Sequence, residues 1–117
     1  RFARSIRKFE QLRAVSDTEP IDIGHGLTAA LRMAESDLAP QGVHPGWKAG
    51  DVLGVLLTHP CSKRGGEVVQ DFIPVNYMGS AQDWKLESRD PITISPSVNY
   101  TCCGTHGFLR EGKWVPA

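Results

Sequence analysis

The chain has 117 residues, 40% apolar and 22% charged, with 12 glycines and 8 prolines. That is enough for one hydrophobic core with many turns, and it excludes a disordered or collagen-like chain. Thirteen basic residues balance thirteen acidic ones, so no protein-wide field draws the chain to nucleic acid or to an anionic membrane.

No segment approaches the roughly 18 apolar residues of a membrane span, and residues 1–15 lack the apolar centre of a secretory signal, which makes a cytoplasmic location the expectation. Arg1 stands where an initiating methionine would be, so the start was processed or trimmed, and a lost leader stays open. Three cysteines are an odd number, and the neighbours Cys102 and Cys103 could bridge each other only through a strained ring. Reduced thiols are therefore expected.

In chain order, Phe2, Ile6, Phe9, Leu12 and Val15 recur at helical spacing and predict an amphipathic helix over 1–15. Arg4, Arg7, Lys8 and Arg13 cover its remaining surface, a local positive charge for nucleic acid, an acidic partner or a lipid headgroup, or simply a solvated face. Leu27, Ala30, Leu31, Ala34 and Leu38 predict a second helix over about 27–38, stopped by Pro40; Gly24 and Gly26 make a poor entry to it and leave a pair of short strands as the alternative. After a Pro- and Gly-rich loop containing Trp47, the pattern changes to about five strands: DVLGVLLTH, GEVVQDFIPV, DWKLES, PITISPSV and a hairpin through HGFLREGKWV. The expected architecture is one α+β domain over 1–117, with a helical and loop part at 1–50 and an antiparallel, β-rich part at 51–117.

Chemical specificity is concentrated in His59-Pro60-Cys61 and in Thr101-Cys102-Cys103-Gly104-Thr105-His106. Cys103 and His106 form a CxxH element, whose gap lets a tight turn aim a thiolate and an imidazole at one ion. Cys61, about 40 residues earlier, supplies a third ligand, and the fourth is His59 ahead of Cys102. His59 and Cys61 share a strand face, whereas extended backbone would point Cys102 away from Cys103. Buried thiols without metal, and a His106 satisfied by a backbone carbonyl, are the bland alternatives.

The order Trp84, Ile92-Thr93-Ile94-Ser95-Pro96-Ser97, Cys103, His106, Phe108 and Gly112-Lys113-Trp114 resembles a domain-of-unknown-function family of small bacterial and phage proteins, over about residues 55–115. Some of its members lie near ubiquitin-like conjugation genes and others in phage genomes. The resemblance implies a zinc-ribbon-like half, with Cys61 opening the first knuckle and Cys103 and His106 forming the second. The sequence departs from the family where Ser62-Lys63-Arg64-Gly65-Gly66 replace further cysteines.

The function these features favour is a non-enzymatic, zinc-stabilised module that binds a protein partner, with Trp47, Trp84 and Trp114 as contact or core-edge aromatics. A zinc hydrolase with an open metal position and Glu67 as base is one alternative, and a phage structural or host-inhibitor protein is another. GxSxG, HExxH, GxxxxGK[ST] and GxGxxG are absent from the chain.

Overall fold

The computed structural model describes residues 15–42, 45–75, 83–100 and 102–117. Apart from a single 3-10 turn at Ser62–Arg64, every regular element among them is a β-strand. The helix expected over 1–15 lies outside the described residues except for Val15, which opens a strand.

Five strands form a curled, half-barrel antiparallel sheet: β1 (Val15–Asp17), β2 (Ile21–Gly24), β3 (Leu27–Ala34), β4 (Val52–Cys61) and β5 (Glu67–Pro74). β1 and β2 pair with successive halves of β3, β3 pairs with β4, and β4 with β5. A second sheet is the hairpin β6 (Lys85–Arg89) and β7 (Ile92–Ser95); a third joins β8 (Val98–Asn99), β9 (His106–Arg110) and β10 (Lys113–Pro116) in the order β10-β9-β8.

The chain is therefore all-β where it is described, and the α+β and zinc-ribbon expectations are corrected. Of the residues read as a helix at 27–38, those from 27 to 34 form β3, for a physical reason. β3 is central and covered on both faces, with Leu27, Ala29, Leu31 and Ala34 all at most 6% exposed. Two-sided burial removes the polar alternation that marks a strand, and the remaining apolar run also fits a helical stripe. Gly24 and Gly26, at φ 94° and 81°, bracket His25 at φ 57°. His25 and Gly26 thus make a two-residue hairpin turn of the kind that positive φ at both positions permits. Arg32, 5% exposed, gives two hydrogen bonds of 2.7 and 2.8 Å to the Asp17 carboxylate and ties β1 to β3.

The core fills the space between the three sheets. On β4 the odd-numbered residues face inward: Val55 and Leu57 are fully buried and meet Ile92 and Ile94 of β7, Val98 of β8, and Leu109 and Trp114 of the β9–β10 hairpin. Each such aliphatic side chain contributes roughly 1.5–3 kcal/mol by leaving water. His59 and Cys61 continue that inward face beyond the apolar part, 1% and 0% exposed. A smaller cluster under the 38–47 loop holds Trp47 with Ala34 and Leu53.

Gly107, the second residue of β9, has no room for a side chain. A Cβ there would lie 2.6 Å from Trp114 Cζ2 and 2.7 Å from the Val115 carbonyl oxygen. Gly107→Ala is expected to lower unfolding free energy by about 1–3 kcal/mol, the usual cost of overpacking, in a urea titration; an unchanged midpoint would contradict the packing.

Candidate active site and metal centre

β4 ends by carrying His59 and Cys61 inward, one on either side of Pro60. Between β8 and β9 the chain reverses in a tight loop closed by hydrogen bonds from Tyr100 N to Thr105 O and from Gly104 N to Tyr100 O, both 2.7 Å. Gly104 turns the corner at φ 74°, a backbone conformation that glycine adopts without strain. Cys102 and Cys103 sit in this turn and not in extended backbone, so both thiols reach the same side.

Four donors converge as a result. Cys102 Sγ lies 3.4 Å from Cys61 Sγ, 3.7 Å from Cys103 Sγ and 3.3 Å from His59 Nε2, and Cys103 Sγ lies 3.6 Å from His59 Nε2. All four ligand atoms are within 4.8 Å of one another. Zinc bond lengths in a tetrahedron give S···S edges of about 3.8 Å and S···N edges of about 3.5 Å. The residues present thus fit one metal ion.

The surroundings of the imidazole suit that role too. The His59 ring stacks on Tyr100 at 3.8 Å between centroids. Its Nδ1 is buried without a hydrogen-bond partner, and the nearest carboxylate is Asp71 Oδ2 at 3.7 Å. A metal-bound histidine commonly turns its other nitrogen to such a group.

The thiols differ in charge. A hydrogen bond with the Thr105 hydroxyl, 3.1 Å away, and then the Thr105 backbone draw the Cys103 thiol down to about 6. Contact with Cys61, followed by desolvation, pushes Cys102 up to about 12. Burial raises the Tyr100 hydroxyl above its ordinary range, and the negative charge of Asp71 adds to it.

Of the residues expected as ligands, His59, Cys61 and Cys103 meet, and the alternative, Cys102, is the fourth. His106 is not among them. Strand alternation along β9 buries Gly107 and Leu109 and turns His106 and Phe108 to the outer face. There His106 Nε2 is hydrogen-bonded to Ser97 Oγ at 2.8 Å. Among the described residues this is the one serine hydroxyl joined to a histidine ring.

Ser97 closes the link from β7 to β8, and its carbonyl accepts a 3.1 Å hydrogen bond from Trp84 Nε1. Asn99 sits opposite His106 across the β8–β9 pair. Glu67 is exposed at the start of β5 and outside the four-donor group, while Trp114 is buried in the core. The CxxH spacing points His106 towards a metal, so sequence alone does not single out its hydrogen-bond partner Ser97. A count of four donors without His106, namely His59, Cys61, Cys102 and Cys103, is the signal that would have released it.

A family model described as "Bacterial ubiquitination-like system serine protease (BubE)" matches residues 35–117, well over half of the chain and all of the residues above. The chain belongs to the BubE family. No match was found among curated proteins or among solved structures.

Membership corrects three expectations. The family is a bacterial serine protease family and not a zinc ribbon of unknown function; the chain falls among hydrolases and not non-enzymatic binding modules; and an enzyme is what the family implies. Both the Ser97–His106 hydrogen bond and the four-donor cluster lie within the residues matched to BubE.

The thiol environments lead to a test on metal-stripped protein. Thiolate, the reactive form, exists above the pKa, so alkylation of Cys103 is expected to fall as pH drops through about 6. Cys102, held near 12, should stay slow throughout neutral pH, and added zinc should protect both. Mass spectrometry after iodoacetamide treatment reads this, and equal labelling of the two at pH 7 would contradict it.

Proposed function

We propose that this chain is a serine peptidase in which Ser97 is the nucleophile and His106 the general base, stabilised by a structural zinc on His59, Cys61, Cys102 and Cys103. The observation that carries the reading is the 2.8 Å hydrogen bond between Ser97 Oγ and His106 Nε2 in a chain whose family is a serine protease family. That distance is within the range a base needs to take a proton directly.

With Nε2 unprotonated, the Ser97 hydroxyl donates to it. As Oγ attacks a substrate carbonyl carbon, its proton passes to Nε2, and the imidazolium then gives that proton to the leaving nitrogen as the amide C–N bond breaks. The acyl group remains on Ser97 as an ester. A water molecule deprotonated by His106 attacks that ester, the acid product leaves, and the proton returns to Oγ. In a ubiquitination-like system the amide bonds that call for such an enzyme are those of a small modifier protein, in its precursor or in its linkage to a target.

The zinc reading is supported by soft thiolates and an imidazole at tetrahedral spacing. Four protein ligands leave no position for water, so the ion's contribution when bound is a crosslink between β4 and the β8–β9 loop. The chemistry stays with Ser97 and His106.

A fluorophosphonate probe tests the dyad. It should phosphonylate purified protein at Ser97, as read by peptide mass; Ser97→Ala should not react, and His106→Ala should react about 100-fold or more slowly with its fold retained. Labelling at another serine, or an undiminished rate in His106→Ala, would overturn the assignment.

Elemental analysis should find about one zinc per chain, and prolonged chelation should lower the thermal midpoint, with Cys103→Ser reproducing the loss. Protein that is fully folded, fully stable and metal-free would remove the zinc.

A further inference from the structure

The edge of β8 beside Ser97 is a strand edge with backbone groups to offer, and a groove runs along it. Tyr100 N bonds to Thr105 O, so the backbone of residue 100 points towards β9. Alternation in an antiparallel pair then turns Val98 towards β9 and Asn99 away from it. Two other bonds agree with that parity. The His106 carbonyl, opposite Asn99, is directed the other way and accepts from Ala117 N at 3.0 Å. The Ser97 carbonyl, two residues before Asn99, points outward to Trp84 Nε1. Among the described residues the Asn99 N–H and C=O have no backbone partner, and β8 is the terminal strand of its sheet.

The groove that this edge borders has a volume of about 260 Å³. Val69 and Ile73 of β5, Trp84 and Tyr100 form its apolar wall, and Arg64 and Asp71 supply charge at its lining. It is smaller than the usual pocket for a whole small molecule, roughly 300–1,000 Å³, and suits one large side chain. Trp84 belongs to the wall and also holds the Ser97 carbonyl, so the groove and the nucleophile are built on one framework.

We propose that the substrate is an extended peptide segment that adds as a strand to the β8 edge, pairing its backbone with Asn99 N–H and C=O and seating a large apolar side chain, close to the scissile amide, between Val69, Ile73, Trp84 and Tyr100. Backbone pairing supplies alignment and the pocket supplies selectivity, the division of labour of strand addition to a sheet edge. This reading rests on the Ser97–His106 dyad, and Asn99 is a positioning residue through its main chain.

Two sets of peptides and one variant test it. Internally quenched peptides are varied between glycine, alanine, leucine, phenylalanine and lysine at each of the three positions on either side of the scissile bond. One position should favour leucine or phenylalanine over glycine by roughly 10- to 200-fold in kcat/KM, the range a hydrophobic pocket achieves.

In the second set the backbone nitrogen is methylated one residue at a time, and a single methylation near the scissile bond should abolish cleavage. Val69→Trp, at a partly exposed position on the groove wall, should fill the pocket and abolish the discrimination in kcat/KM between leucine or phenylalanine and glycine. Absence of any side-chain preference, tolerance of methylation at every position, or a preference unchanged in Val69→Trp would overturn the groove. Failure of the wild type to be labelled at Ser97 would overturn the dyad and, with it, this inference.

Discussion

Sulfur contacts between the end of β4 and the loop joining β8 to β9 hold together two sheets that share no hydrogen-bonded ladder. Cys61 belongs to the half-barrel; Cys102 and Cys103 belong to the connection inside the third sheet. Ser97 lies five residues before the first of these thiols and His106 three after the second, so the loop that carries the cysteines also spans the two members of the dyad. An ion bound there would clamp the loop at its centre, and the Ser97–His106 hydrogen bond joins the two ends of that same loop. In a chain of 117 residues, where core burial alone leaves little surplus, one such clamp is a large part of the stability available.

The hairpin of β8 and β9 keeps two kinds of chemistry apart by strand parity. Val98, Gly107 and Leu109 face the core, while Asn99, His106 and Phe108 face out. The four-donor cluster takes a buried imidazole and one buried thiol from the inward continuation of β4 and two half-buried thiols from the β8–β9 loop. The nucleophilic chemistry proposed for Ser97 and His106 needs access, which the outer face provides. Gly107 joins the two requirements, since it lets the Trp114 ring lie flat under β9 while the flanking residues keep their outward direction. On that outer face the Arg110 guanidinium covers Phe108 at 4.1 Å, a cation–π contact beside His106.

Much of the strand content was legible from period-two alternation and turn residues. The Leu109 to Trp114 hairpin forms as its Glu111-Gly112 turn suggests, with positive φ at both residues. β3 was not legible, because its two covered faces erase the alternation that identifies a half-buried strand. Ligand types were legible from residue chemistry, yet the final set depended on a turn at 102–103 that composition does not specify. The dyad was hidden for a different reason. Ser97 and His106 are nine apart with a loop between them, no sequence spacing links a nucleophile to its base across a hairpin, and the CxxH spacing offered His106 a more familiar use.

An exposed dyad on a short sheet edge also constrains how it can be specific. His106 is exposed and Ser97 only partly covered, so no deep cleft surrounds the reacting bond. Enzymes in this position cannot rely on enclosing the substrate; alignment has to come from groups that extend past the nucleophile along the strand. The outward backbone of Asn99 and the aromatic wall begun by Trp84 are the groups that do so here. Pairing an extended chain against them restricts the substrate's rotation before reaction, which is where an open site gains the orientation that a closed one obtains by burial.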